Sequence, residues 1–153
     1  MATADMVKVA VSAAPYSIDK PYSYLGPAAL AAAAFAAQLD PCVEGLNEIK
    51  TAGSEAVTNC IVHAYRDCLG TVTIRCRILP ENVLDIVIRD QGCGMEDVEK
   101  ARAPMFTTGG PERSGMGFTI MESFMDSLAV RSKNGKGTVV TMKRRIALRT
   151  ARR

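Results

Sequence analysis

The segment TVTIRCRILPENVLDIVIRD, Thr71 to Asp90, constrains the fold of this chain more than any other. Apolar residues fall on alternate positions in both halves: Val72, Ile74, Cys76 and Ile78 in the first, Leu84, Ile86 and Ile88 in the second, with the turn-like LPEN between them. A period of two over that length marks half-buried strands, and so short a connection joins them as an antiparallel hairpin. Asp90 continues the apolar phase of the second strand. Its carboxylate is therefore expected on the covered face, where a charge is costly unless something hydrogen-bonds to it.

The flanking sequence supplies more strands and the helices to cover them. MVKVAVSA alternates Val7, Val9 and Val11 against Lys8 and Ala10 and reads as a half-buried opening strand. Three prolines and three tyrosines between Pro15 and Pro27 make an irregular connection, after which Pro27 starts an alanine-rich helix through about Gln38. Asp40-Pro41 reads as N-cap and first residue of a longer helix reaching about Tyr65, with Leu46, Ile49, Ala56 and Cys60 on the stripe that faces the sheet. A short helix is expected from about Glu96 to Arg102 and another from about Gly117 to Asp126. LAVRSK, the NGKG turn and GTVVTMKR close the chain as a second hairpin. Strands interleaved with helices, joined mainly by hairpins, predict an α+β two-layer sandwich with a mostly antiparallel, mixed sheet and helices on one face.

At 153 residues the chain makes a single domain. Its 48% hydrophobic and 23% charged residues are ordinary for a folded globular protein and argue against disorder. The net charge is only +3, concentrated in the tail KRRIALRTARR, which reads as a solvated end rather than a nucleic-acid site. Five cysteines without a C-x-x-C pair suggest neither a disulfide framework nor zinc and fit a reducing cytoplasm. No apolar run is long enough to span a bilayer, and no secretory signal is visible.

Three short motifs carry chemistry. Glu55, Asn59 and His63 lie at helical spacing on one face. A carboxylate one turn from a carboxamide combines a proton acceptor with an oxygen ligand for Mg²⁺, although the same spacing also suits a plain solvated face. In DQGCGM, an adenine amino group is a suitable partner for Asp90, and Gly92 and Gly94 let the backbone run close to a flat base; a strand-ending turn with Asp90 capping the next helix fits equally. In GGPERSGMGF, Gly109-Gly110 and Gly115-x-Gly117 flank a polar segment before a helix start, where successive amides and Arg113 suit phosphate oxygens. That segment is neither a Walker A loop nor a dinucleotide fingerprint, and alone it also reads as an ordinary flexible loop.

Taken in order, EAVTN on a helix, DQGCGM after a strand, GMGF opening a helix, and Gly137-Thr138 resemble the four-part signature of the Bergerat-fold (GHKL) ATPases, over residues 41 to 146. EIKTAGSEAVTNCIVHAY, IRDQGCGMEDVEKARAPMFTT and ERSGMGFTIMESFMDSLAV look more particularly like the bacterial anti-sigma factor serine kinases, closest to the sporulation-type members.

The resemblance implies a division of the chain into residues 1–40 (strand, irregular loop and a partner-binding or dimerisation helix), an ATP-binding core at 41–146 and a basic tail at 147–153. It implies Glu55 as the general base and Asn59 as the ligand of the Mg²⁺ on ATP. Asp90 would read the adenine, with Gly92, Gly94, Met95 and Thr138 around it. Residues from about Phe106 to Ser114 would form a lid, and Thr107, Thr108, Arg113, Ser114, Gly115, Met116 and Gly117 would meet the nucleotide. His63, the only histidine, reads as structural. The implied activity is phosphorylation of a serine on a STAS-domain anti-anti-sigma factor, leaving ADP, together with capture of a sigma factor by a homodimer, without direct nucleic-acid or membrane contact.

Two other readings are kept: an ATPase domain of histidine-kinase type acting with a separate partner, and a non-catalytic, nucleotide-dependent binding module. No dimerisation helix with a phospho-accepting histidine precedes the ATP motifs, which disfavours a complete sensor kinase. One departure bears on the partners. Ala29 stands at the position where the family usually carries a partner-contacting arginine, and Lys20 is a candidate substitute.

Overall fold

A computed structural model describes residues 7–13, 33–60, 63, 70–103 and 116–147. The strands are β1 (Val7–Ala13), β2 (Gly70–Leu79), β3 (Val83–Asp90), β4 (Ser127–Lys133) and β5 (Gly137–Arg145). They form one five-stranded sheet in the order β1-β2-β3-β5-β4. All ladders among the described residues are antiparallel, so the expected mixed character is not found in them. The helices are α1 (Val43–Asn59), α2 (Val98–Arg102) and α3 (Gly117–Phe124), and residues 33–36 are also helical. The Pro15 to Pro27 connection, the start of the alanine-rich helix, the helix end toward Tyr65, the lid segment and the tail beyond residue 147 lie outside the described residues.

The hairpin read from Thr71 to Asp90 forms with Cys76 opposite Ile86 and Ile74 opposite Ile88. Its inward side chains are almost wholly covered: Leu84 and Ile86 have no exposed surface and Ile88 has 1%. Ile49, Ala56 and Cys60 of the α1 stripe join them in one core with Phe118 and Met121 of α3 and Met142 of β5. Shortening Ile86 to Ala in so closed a site costs about 2–5 kcal/mol. The connection after Leu79 is tight because Glu81 and Asn82 both take left-handed backbone, with φ of 66° and 60°. Asparagine tolerates that conformation better than glutamate does.

The start of α1 differs from expectation. Asp40 takes left-handed backbone (φ 48°, ψ 55°) and its N–H bonds Ala37 O at 3.0 Å, so it closes the preceding 3-10 turn Ala37–Leu39. A residue committed to ending one helix cannot adopt the extended geometry that begins the next. Cys42 does so instead, in extended conformation, its sulfur accepting from Gly45 N at 3.3 Å. The short helix α2 likewise begins at Val98, with Asp97 Oδ1 accepting from Lys100 N, so Asp97 rather than Asp90 is its cap. Helix α3 stops at Phe124, two residues before the expected Asp126.

One polar clamp ties the helices to the sheet, and a second ties two strands together. Arg144 Nη1 donates to Glu48 Oε2 at 2.5 Å and to Phe124 O at 2.8 Å, tying β5 to α1 and to the end of α3. On the opposite face of the sheet Asp85 is fully buried, and Arg77 Nε donates to its Oδ2 at 2.6 Å.

Candidate functional site

Helix α1 presents Glu55 and Asn59 one turn apart at the edge of the core, both half-buried beside the fully covered Ala56. What faces them is the first residue of α3. A Cβ built on Gly117 would lie 3.2 Å from Glu55 Oε2 and 3.4 Å from both Nδ2 and Oδ1 of Asn59. The carboxylate and the carboxamide therefore meet bare backbone at a helix N-terminus, where the first amides have no partners within the helix. Met116, at the N-cap position, places no side-chain cap on those amides. Hard oxygen donors at Asn59 and Glu55, beside a helix end that favours anions, suit Mg²⁺ together with phosphate oxygens. A methyl at residue 117 would fill this space.

The second half of the site lies at the end of β3. Asp90 is 5% exposed, on the covered face that its phase predicts. Its Oδ1 accepts from Gly92 N at 3.0 Å and Thr138 N at 3.2 Å. Burial raises the Asp90 pKa above the ordinary carboxylate value, while hydrogen bonds from Gly92, the Cys60 thiol and Thr138 oppose the rise. Burial, and then the nearby Asp90 charge, push the Cys60 thiol well above its usual pKa, so it stays a neutral donor. Because Cys60 follows Asn59 directly, the end of α1 joins the two halves of the site.

The loop after Asp90 is bolted to the β4–β5 hairpin by close backbone approach. Gly94 has φ of 72°, and a Cβ there would lie 2.1 Å from Lys133 O. A Cβ on Gly137, with φ of 96°, would lie 2.3 Å from Asp90 O, and Gly135 N donates to Cys93 O at 2.6 Å. Met95 N donates to Ser132 Oγ at 2.8 Å, and that oxygen lies 2.8 Å from Thr138 Oγ1. From the other side, the Cys93 thiol donates to His63 O at 3.1 Å.

Glu55, Asn59 and Gly117 thus converge, as do Asp90, Gly92, Gly94, Met95 and Thr138. Thr107, Thr108, Arg113, Ser114 and Gly115 lie outside the described residues. Cys60 and Ser132 belong to the site although neither was expected there. Cys60 read only as one of the apolar stripe, and Ser132 as one polar residue of a strand. The phase of Ser132 with Leu128 and Val130 was the available signal, since it turns the hydroxyl toward the covered face.

An antiparallel sheet covered by helices on one face, with a helical carboxylate–carboxamide pair and a glycine-flanked buried aspartate, defines a class: the family model described as histidine kinase-like ATPase domain matches residues 20–144. Solved structures agree on the fold. The histidine kinase domain from Erythrobacter litoralis EL346 blue-light activated histidine kinase aligns over 88% of this chain with a TM-score of 0.55 at 22% identity. The chain spans 64% of that domain. The mycobacterial sensor histidine kinase MprB aligns over 64% of this chain and 70% of its own, with a TM-score of 0.52 and 19% identity.

Much nearer in sequence is an anti-sigma F factor of Caldanaerobacter subterraneus subsp. tengcongensis, 60% identical over 111 residues, 72% of this chain and 77% of that protein. The anti-sigma F factor of Clostridium acetobutylicum is 50% identical over 117 residues, 76% and 81% of the respective chains. Within the histidine kinase-like ATPases, the chain belongs to the anti-sigma F factor family.

Proposed function

We propose that the protein is an anti-sigma factor that sequesters a sporulation-type sigma factor and, as an ATP-dependent protein-serine kinase, phosphorylates its STAS-domain anti-anti-sigma factor. The observation that carries the kinase half is the approach of Glu55 and Asn59 to the backbone of Gly117. That approach supports the reading because it brings a carboxylate, a carboxamide and a helix N-terminus into one small space. Family membership supports the sigma-factor half.

In this reading Asp90 accepts from the adenine amino group of ATP and Thr138 lies beside it. The amides at the start of α3, with Met116 and Gly117, receive phosphate oxygens, and Asn59 would hold Mg²⁺, which when bound would neutralise charge on those oxygens. The proposed nucleotide contacts of Thr107, Thr108, Arg113, Ser114 and Gly115 rest on the sequence resemblance alone, since these residues lie outside the described ones. Glu55 takes the proton of the incoming serine hydroxyl as its oxygen bonds to the γ-phosphorus. The bond from that phosphorus to the bridging oxygen breaks, and its electron pair leaves on ADP. Positioning and charge neutralisation suffice for such a transfer, which is why one general base serves. The active form is a homodimer in the cytoplasm, where the two protein partners compete for an overlapping surface and nucleotide state biases the outcome. No helix among the described residues is long and apolar enough to cross a membrane.

The test is a pull-down from a sporulating bacterial lysate with Mg-ATP or Mg-ADP, followed by mass spectrometry. A sigma factor retained with nucleotide, and phosphoserine on a co-purified STAS protein, are the expected results. Phosphohistidine on the partner would overturn the serine-kinase assignment, and no phosphate on any STAS protein would leave only a binding module.

A further inference from the structure

Ser132 Oγ stands at the junction of three groups: Met95 N at 2.8 Å, Gly137 O at 3.1 Å and Thr138 Oγ1 at 2.8 Å. A serine hydroxyl has one hydrogen to give and two lone pairs to receive. The Met95 amide can only donate, so it occupies one lone pair. The Gly137 carbonyl can only accept, so it takes the hydrogen. Thr138 must then donate its own hydrogen into the remaining lone pair of Ser132. That leaves the Thr138 hydroxyl with lone pairs alone for anything placed beside Asp90, whose Oδ1 receives the Thr138 N–H.

We infer that Ser132 is a specificity-determining residue: by consuming the Thr138 proton it makes Thr138 a pure acceptor, so the Asp90–Thr138 pair selects a purine with an amino group at position 6. This inference rests on the proposed adenine site. A 6-oxo purine can give its N1–H to only one of these two acceptors, and its O6 then faces the other, a contact between two acceptors in a covered site that is disfavoured. Ser132 touches no nucleotide in this scheme; it acts through Thr138, and it also holds the Met95 amide. The sequence around it, VRSKNGKGT, supplies the hydroxyl on the inward phase of β4, opposite Thr138 in register.

The experiment is titration calorimetry of the full chain with ADP and IDP, which reads binding without phosphoryl transfer. For Ser132→Ala the Thr138 hydroxyl can turn and donate to a 6-oxo group. The expected result is ADP affinity lower by about tenfold and ADP-over-IDP preference lower by at least about fivefold. Ser132→Thr, which keeps the hydroxyl, restores both to within about twofold of the parent. A merely structural serine would weaken both nucleotides alike. An unchanged preference in Ser132→Ala, or no rescue by Ser132→Thr in a variant whose melting temperature matches the parent, overturns the inference alone. If the parent itself fails to distinguish ADP from IDP, the adenine site at Asp90 falls, and this inference with it.

Discussion

Gly117 presents bare backbone to Glu55: a Cβ there would stand 3.2 Å from Oε2, closer than side chains normally tolerate. Glu55 lies this near the N-terminus of α3 because residue 117 has no side chain. That single approach joins α1 to α3 at the point where chemistry is proposed.

Gly117→Ala should separate stability from activity. Alanine favours the helix by up to about 1 kcal/mol, so the melting temperature should hold or rise. The methyl displaces Glu55 and Asn59 by a few tenths of an ångström, and phosphoryl transfer should fall by about tenfold or more. Parallel thermal melts and phosphoserine assays check this, and full activity in the variant would refute the contact's importance.

Glu55→Gln preserves shape and removes the proton acceptor. If the proposed mechanism holds, transfer to a STAS-domain protein drops by about 10²–10⁴-fold, with ADP affinity within about twofold of the parent. Single-turnover kinetics with radiolabelled ATP distinguishes this from a binding defect. A large loss of ADP affinity would instead make Glu55 a nucleotide ligand.

Asp90 sets a pH dependence whose sign is fixed by burial. Its pKa is raised, so it takes up a proton at higher pH than an ordinary carboxylate. In the proposed adenine site the ionised form accepts from the amino group, so ADP affinity should fall as pH drops through that raised value, and Asp90→Asn should bind weakly at every pH. For folding, the native state holds this proton more tightly than the unfolded chain. The resulting stability is fully present below the unfolded pKa and is lost as pH rises through the native one. Calorimetric affinities and melts across pH, in parent and variant, test both statements.

Gly94→Ala should be the most damaging glycine replacement in the loop. Its Cβ would meet Lys133 O at 2.1 Å with φ at 72°, so the loop must leave the hairpin. Gly135→Ala also has positive φ, at 80°, but open space around it. We expect nucleotide binding to be lost in Gly94→Ala and retained in Gly135→Ala, which should lose only about 1 kcal/mol of stability. Urea melts with ADP titrations check the pair.

Arg77→Leu should expose the cost of Asp85, which is fully buried with Oδ1 already unpartnered. Arg77 is itself partly exposed, so the loss should sit near 1–3 kcal/mol, about half that of a fully buried pair. Replacing both residues with leucine should recover most of it in urea melts. A double variant no better than the single would mean that Arg77 acts by covering the sheet rather than by pairing.

The hairpin from Thr71 to Asp90 was legible because strand phase is a local property: two-residue alternation assigns each side chain to a face whatever lies above it. The same logic put Asp90 on the covered face and Ile49, Ala56 and Cys60 against the sheet. The start of α1 was not legible, because Asp40 and Cys42 compete for one chain reversal. That competition was settled by the 3-10 turn before it, not by the capping preference of aspartate.

The sequence by itself determined the strand phases, the helical spacing of Glu55 and Asn59, and the placement of glycines where the backbone must turn. These depend on covalent geometry over a few residues. Tertiary structure decided that Gly117 faces Glu55, that Cys60 hydrogen-bonds Asp90, and that Ser132 holds Met95 and Thr138 together. Each of these last joins segments far apart in the chain, and a hydrogen bond between them depends on sub-ångström docking of sheet, helix and loop that no local pattern encodes.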